Sequence, residues 1–481
     1  MFSNILSIIG ISLEVIILFN LLIVVHELGH FLAARSRGLV VEKFAIWFGK
    51  PIWSKTINGI EYRLGCIPAG GFVAIPQLAP MEALEGESKQ KYSDLPPVSP
   101  LDKIIVAAAG PVFSLLLALA FACVVWGVGR PVSEAEKTAV IGYVMPDGPA
   151  AKAGLQPGDK ILAVNAHPVT RINGMGRMSD SVSWNVATSQ SPLIPIRFER
   201  DGVEHIVEIE PLVQPRQGWG RKNLRQIQIL PAQTPMISKI IPQSPASAAG
   251  LLSGDLVVMA NGVKLLSPIA LAEILNNTKG QAVTLVISRR MGDALKTFSV
   301  NILPLIPVGE KQSRLGIVWD QRGVVTLSYP NPWDQIAASV STMWETISAV
   351  MTPHSEITVQ HLSGPVGIMR IYYMLFESPM GWRLALWFSV VLNVNLALLN
   401  LLPFPVLDGG HILLAICEWA IRKPIEHRVV EWIQSGFALI LMGFMLYVTF
   451  FDLLDLPPLM RGKSNPQEKS AVMQFASPVG K

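Results

Sequence analysis

The stretch Ile5–Val25 is free of charge except for Glu14, and it runs directly into His26-Glu27-Leu28-Gly29-His30. A helix needs about 20 apolar residues to cross a bilayer, and this stretch supplies them. It has no basic leading segment and no small-residue cleavage site, so it reads as a retained span and not a removed signal peptide. Residues i and i+4 share a helix face. His26 and His30 can therefore hold one metal ion, with Glu27 beside them to take a proton from bound water. Three ionisable groups in an apolar helix are expensive unless they face a polar interior or a metal. The alternative is a polar cluster where the helix leaves the membrane.

The same apolar pattern recurs. Ile104–Gly129 carries no charge, Leu384–Leu402 carries none, and Val429–Phe451 carries only Glu431. Together these predict four transmembrane helices. Of the 481 residues, 50% are hydrophobic and 15% charged, with a mean hydropathy of +0.42. Ordinary soluble proteins are about 25% charged, so a disordered chain is excluded and a purely soluble enzyme is disfavoured. A net charge of +4 is too small to argue for nucleic acid. Three cysteines, Cys66, Cys123 and Cys417, exclude a disulfide framework or a cysteine-only zinc site. Cys123, inside an apolar run, is expected to be a small buried hydrophobe.

Orientation follows from Lys and Arg. Between the first two spans lie Arg35, Arg37, Lys43, Lys50, Lys55, Arg63, Lys89, Lys91 and Lys103, and between the last two lie Arg422, Lys423 and Arg428. Short basic loops stay cytoplasmic. The long stretch 130–383 and both termini are then outside, although the tail residues Arg461, Lys463, Lys469 and Lys481 run against the rule.

The external stretch repeats itself. Pro149-Ala-Ala-Lys-Ala-Gly-Leu-Gln-Pro-Gly-Asp159 returns as Pro245-Ala-Ser-Ala-Ala-Gly-Leu-Leu-Ser-Gly-Asp255 at an offset of 96, which Asn165 and Asn261 also obey. Each Gly-Asp precedes an apolar strand, Ile161–Val164 or Leu256–Met259, and later comes Arg200-Asp-Gly or Arg290-Met-Gly. That period is too long for a solenoid, whose repeats run about 20–50 residues. It fits two copies of a small β-rich domain. The signature A-x-x-A-G-L-x-x-G-D resembles that of permuted bacterial PDZ domains, which bind extended peptides by strand addition. The other reading is a pair of spacers or size filters without a peptide ligand.

A catalytic zinc site takes three protein ligands and one open position. Glu42 and Glu61 are available in the basic loop, but Asp408 is better placed. It follows Asn400-Leu-Leu-Pro403-Phe-Pro405-Val-Leu and precedes Gly409-Gly410 at the end of the third span. The prolines stop the helix. Spans one and three both run outside to inside, so the histidines and Asp408 reach similar depth.

HExxH in the first span with N-x-x-P-x-P-x-L-D-G-G after the third resembles the site-2 protease family of intramembrane zinc metalloproteases. With two PDZ-like copies between spans two and three, the chain is similar to the bacterial regulator of sigma-E protease type. Ala109-Gly110-Pro111, Pro68-Ala69-Gly70-Gly71-Phe72-Val73 and Ser363-Gly364-Pro365-Val366-Gly367-Ile368 support the likeness. Ser114 stands where the family often has Asn, and Val73-Ala74-Ile75 where it usually has Val-Lys-Met.

The resemblance implies an inner-membrane enzyme that holds Zn²⁺ through His26, His30 and Asp408 and uses Glu27 as general base. It further implies cleavage of transmembrane segments of type II membrane proteins already trimmed outside. Such substrates are anti-sigma-factor-like or signal-peptide-like helices in the lipid bilayer, within an envelope stress response. Asn400, Pro403, Pro405, Gly70 and Gly71 are implied in substrate binding. For Asn400, capping of the helix end is the alternative.

The expected fold is a polytopic α-helical membrane protein of four transmembrane helices with a membrane-associated β-sheet and two inserted PDZ domains. Its parts are the HExxH span (1–37), a β-rich loop (38–102) and the second span (103–130). PDZ copies follow at 138–215 and 233–306, with linker helices at 330–380. The third span with its LDG motif (383–420), the fourth span (429–452) and a tail (457–481) complete the chain. Within the loop, Val40–Ile75 alternates β-favouring residues (Phe44, Ile46, Trp47, Phe48, Tyr62, Leu64, Ile67) with Gly and Pro. It can enter the membrane as a sheet and take the substrate as an added strand, or form an ordinary cytoplasmic β-domain.

Pro332–Met351 reads as a helix with Trp333, Ile336, Val340, Met343, Trp344 and Ile347 on one side, lying at the membrane surface or packing on the external domains. Asn393 and Asn395 read as interhelical hydrogen-bonding groups. His411 is a ligand on spacing alone, but three positions are already filled. His167, His205, His354, His361 and His427 read as surface or loop residues. Two rival classes remain: a non-catalytic PDZ membrane scaffold, and a membrane zincin of another family with a downstream Glu ligand.

Overall fold

The computed structural model describes residues 2–455 apart from 79–94 and positions 97, 175, 217, 279, 293, 308, 311, 354, 379, 423–424 and 426. The expected tail at 457–481, part of the loop 38–102, His354 and Lys423 lie outside the described residues. The chain forms two compact units, one of Met1–Arg130, Tyr329–Trp344 and Leu362–Leu453, the other of Pro131–Ser328, Glu345–His361 and Leu454 onward.

The first unit is helical. Among the described residues four helices are long and apolar enough to cross a membrane: Ile8–Ser36, Pro100–Val128, Gly381–Asn400 and Val429–Leu454. The first belongs to a continuous helix Phe2–Ser36, so HExxH lies well inside it. The second starts at Ser99, whose hydroxyl accepts from the Asp102 amide, with Pro100 in the first turn. Much apolar surface faces outward, including Ile17, Leu116, Trp432 and Leu439. Cys123 is exposed as well, contrary to expectation. In a membrane helix an apolar run has lipid as its solvent, so apolarity does not dictate burial.

The third span does not continue through the LDG motif as one element. It stops at Asn400, and a separate helix Asp408–Ile421 begins at Asp408. Pro403 and Pro405 supply no amide donors to prolong the first helix. Gly409 and Gly410 then allow a tight return, because a Cβ on Gly409 would stand 2.3 Å from the Leu401 oxygen and one on Gly410 2.1 Å from the Phe404 oxygen. Glu418 on the new helix accepts from Lys103 Nζ at 2.7 Å, tying it to the second span. Asn393 is fully buried, donates back to Ser389 O in its own helix at 2.8 Å, and has no partner for its Oδ1 among the described residues. In the helix Pro332–Met351, Ile336 packs against Ala118, Ala122, Val390 and Val394, Ala349 packs near its end with Ala187, and Trp333 and Trp344 stay exposed.

Strands β1 (Lys43–Ile57) and β2 (Ile60–Ala74) form a hairpin whose turn residues Asn58 and Gly59 have φ of 51° and 81°. Two positive φ values in a two-residue loop match the twist of the flanking strands. The hairpin folds on itself, since Phe44 pairs with both Val73 and Tyr62. Residues 43–46 are thereby central, and 71–74 form an edge. Phe31 of the first span packs its ring against Phe44 and Tyr62, at 5.3 and 6.1 Å between centroids.

Strand β3 (Arg130–Ser133) leads into the second unit, which holds two copies of one arrangement. The first copy is β4 (Ile141–Val144), β5 (Lys160–Val164), β6 (His167–Pro168), β7 (Ile194–Arg200), β8 (Val203–Ile209) and β9 (Ile229–Pro231). The second is β10 (Ile237–Ile240), β11 (Leu256–Ala260), β12 (Val263–Lys264), β13 (Val283–Met291), β14 (Ala294–Ile302) and β15 (Ile317–Trp319), after which β16 (Val325–Ser328) pairs with β3. Each copy has a four-stranded sheet, ordered β6-β5-β7-β8 or β12-β11-β13-β14, and a two-stranded one, β4-β9 or β10-β15. The closing strands β9 and β15 lie beyond the expected bounds 138–215 and 233–306. Irregular segments separate them from the rest of each copy, so no strand pattern leads to them. Ile227, Ile229 and Leu315 nevertheless belong to the buried cores.

The Gly-Asp of each repeat has a structural task. Asp159 accepts from Arg200 Nε and Nη2, both at 2.6 Å, and from the Gln156 amide at 2.8 Å. Asp255 does the same with Arg289, both at 2.7 Å, and the Leu252 amide at 2.8 Å. These bonds raise the Arg200 and Arg289 guanidinium groups above their ordinary values. The partner of the second copy is Arg289, not the Arg290 that R-x-G spacing selects, because β13 runs on past it to Met291. Replacing Asp255 by Ala removes these charge-assisted bonds and is expected to destabilise that copy by about 2 kcal/mol. Limited proteolysis of the full chain should then cut the second copy faster and leave the first unchanged.

Candidate metal centre

The first and second spans meet closely where the histidines lie. A Cβ on Gly110 would stand 2.2 Å from His30 Nε2 and 2.8 Å from His26 Nε2, so only glycine leaves both rings their places. His30 Nδ1 donates to the Val106 carbonyl at 2.8 Å. A carbonyl only accepts, so the proton is on Nδ1 and the Nε2 lone pair is free for a ligand. His26 Nδ1 lies 3.0 Å from the hydroxyl of Ser114, which is fully buried.

Asp408, opening its helix, reaches both rings. Its Oδ2 is 3.2 Å from His26 Nε2 and its Oδ1 is 3.4 Å from His30 Nε2, while the two Nε2 atoms are 3.3 Å apart. These separations fit a metal. Ligand atoms about 2.0 Å from a tetrahedral zinc are about 3.3 Å from one another. Asp408 Oδ2 is also buried without a hydrogen-bond partner among the described residues. Two imidazole lone pairs and a carboxylate converging in this way repel one another unless a cation joins them. His26, His30 and Asp408 are the group of described residues with ligand atoms within 4.8 Å of one another; His411, Glu42 and Glu61 are not in it.

Glu27 projects beside this cluster, toward the hairpin. A Cβ on Gly71 would stand 3.4 Å from Glu27 Cγ, so the edge strand passes directly by the glutamate. Asn400 Nδ2 lies 3.2 Å from His26 Nε2. Of the residues singled out in the sequence, His26, Glu27, His30, Asp408, Asn400 and Gly71 are thus brought together. Gly70 adjoins them on the strand, and Pro403 and Pro405 lie in the link before Asp408. Sequence reasoning did not find Ser114 or the Val106 carbonyl as orienting partners. Ser114 stood out only as a departure from the family pattern, and a backbone carbonyl leaves no sequence signal.

A two-histidine, one-carboxylate centre with a neighbouring glutamate, set among membrane-length helices, defines a membrane-embedded metallohydrolase. The model of Peptidase family M50 matches residues 14–444, and the chain belongs to that family. It is a zinc metalloprotease of the site-2 type. An inferred zinc metalloprotease of Neisseria meningitidis serogroup A is 30% identical over 454 residues, covering 90% of this chain and 96% of that protein. The regulator of sigma-E protease of Salmonella typhimurium is 29% identical over 468 residues, and that of Escherichia coli 27% over 465, each covering 90% of this chain and 97% of the relative.

Asp408→Ala is expected to abolish stoichiometric zinc in the purified protein, and Glu27→Gln to retain zinc while hydrolysis stops. Loss of an orienting partner typically costs about 10–100-fold in metal affinity, so Ser114→Ala should release zinc to a chelator at correspondingly lower concentration. Metal analysis after chelator titration checks all three.

Proposed function

We propose that this chain cleaves transmembrane helices of type II membrane proteins whose external parts have already been trimmed. The carrying observation is the cluster of His26, His30 and Asp408, with Glu27 facing both it and the Gly71–Ala74 edge. His26, His30 and Asp408 hold the zinc, which when bound lowers the pKa of its water and polarises the scissile carbonyl. Glu27 takes the proton from the attacking water and passes it to the leaving amine. Ser114 and the Val106 carbonyl keep the rings turned toward the ion. A substrate helix must unwind to expose its amide, and freed backbone inside a membrane needs partners. The edge from Gly70 to Ala74 offers them as a sheet that accepts one more strand. Asn400 bonds the substrate backbone close to the centre, and Pro403 and Pro405 hold the link that shapes the cleft.

The basic loops support a centre near the cytoplasmic side of a bacterial inner membrane, with the two repeats in the periplasm. Similarity to regulators of sigma-E protease supports an anti-sigma-factor-like substrate in an envelope stress response, with signal-peptide-like helices as further substrates. The repeats, read as PDZ domains, control access. A bilayer core is about 30 Å thick, which keeps them from supplying a group to zinc on the far side. Two observations favour this reading over a non-catalytic scaffold or another zincin: the ligand cluster itself, and the carboxylate from Asp408.

Co-expression with tagged type II model substrates tests the reading: wild type should cut the trimmed form, and Glu27→Gln should not cut it. Replacing 131–328 by a flexible linker should leave zinc bound and admit the untrimmed form too; a preference for trimmed substrate that survives the deletion would sink the access role. Cysteines in 140–300 should label from outside in spheroplasts, and cysteines in 78–95 or 422–427 should not.

A further inference from the structure

Trp47 has φ of 68°. For a bulky residue that is a true outlier, and such strain persists only where surrounding contacts hold it. It lies at an irregularity between Ile46, which pairs with Gly71, and Phe48, which pairs with Ile67. Its indole Nε1 donates to Asn20 Oδ1. Asn20 is a buried polar residue in the first span, 9% exposed, and its Nδ2 donates to Ile16 O at 2.7 Å. That bond leaves Oδ1 as the only group able to receive the indole. A buried amide in a membrane helix is costly without partners, and here both ends of it are used.

The location gives the contact its meaning. Asn20, Ile23 and Glu27 lie at i, i+3 and i+7, on one face of the helix. Trp47 grips that face at Asn20, while Gly71 rests on Ile23 and Glu27, each within 3.4 Å of where its Cβ would be. The next residue, Phe48, covers Gly70, whose Cβ would fall 1.8 Å from the ring. The same strained turn therefore anchors the sheet to the span and positions the start of the edge strand.

We propose that the Trp47–Asn20 hydrogen bond is a positioning clamp. It sets the depth and register of the Gly70–Ala74 edge against Glu27, and hence which amide of an added substrate strand meets the zinc. This inference rests on the strand-addition reading given above. The clamp residues do not touch the reacting atoms. Losing the bond leaves the edge able to bind a strand but displaces that strand, so turnover suffers more than binding.

The test uses the full chain in proteoliposomes with a transmembrane model substrate. Trp47→Phe keeps an aromatic ring and drops the donor, Asn20→Leu drops the acceptor, and Trp47→Gly removes the backbone strain with the clamp. Zinc content should be unchanged in all three, and kinetics are read well below each variant's unfolding temperature, because Trp47→Gly relieves the positive-φ strain but loses the indole's packing and leaves Asn20 Oδ1 unpaired. kcat should fall about tenfold in each with KM within about twofold, the signature of misplaced reacting groups. The cut should spread to neighbouring bonds, and Asn20→Leu with Trp47→Phe should be no worse than either alone. Unchanged kcat and cut site, or a loss of activity that follows heat stability or zinc content, overturns the clamp. A series of single prolines near the scissile bond separates this from the underlying reading. Wild-type cleavage indifferent to removal of substrate amides sinks strand addition and the clamp with it. An alternating wild-type pattern alongside intact variant kinetics sinks the clamp alone.

Discussion

Two imidazoles and a carboxylate can converge inside apolar helices only if something compensates their desolvation, and the rest of the first unit answers to that constraint. A cation bound between them would offset the convergence, and it would require both Nε2 lone pairs to point inward. Val106 and Ser114 of the second span fulfil that on the far side of the rings. The second span can come so close only because position 110 has no side chain. A third ligand then has to arrive from elsewhere in the chain, and the break at Pro403 and Pro405 turns Asp408 inward as the first residue of a new helix.

The same constraint shapes what surrounds the centre. A peptide bond buried in a helix is not open to attack, so a protease in a membrane needs a place for extended backbone. The hairpin places an edge strand alongside Glu27, which the proposed function uses for that purpose. Edge strands are usually a hazard, because they recruit other strands; in the function proposed above, recruitment is the use. The hairpin is joined to the first span through an aromatic cluster at Phe31 and through Trp47 at Asn20. Glu27 and the edge strand are therefore both referred to one helix.

In the second unit the physics is that of small β-domains. Each copy closes a core of buried Ile, Leu and Val residues, and each secures its Gly-Asp turn with a forked arginine. The repetition visible in the sequence is thus a repetition of folding devices. Their offset drifts between Asp and Arg because the segment between β6 and β7 is longer than the one between β12 and β13.

Much was determined by the sequence alone. Hydropathy marks the four spans, since a bilayer sets a length that composition must meet. The i, i+4 spacing marks the two histidines and their glutamate, because helix geometry is local. The prolines mark the break before Asp408, and the repeat marks two like domains. What only tertiary structure decided concerns partners distant in sequence. These are Ser114 behind His26, the Val106 carbonyl behind His30, the closing strands β9 and β15, Arg289 as the true counterpart of Arg200, and Asn20 beneath Trp47. None has a local period or a fixed spacing, because each arises where separately formed elements pack. Cys123 shows the same limit: an apolar run states which solvent a helix prefers, and only packing determines which of its residues meet protein and which meet lipid.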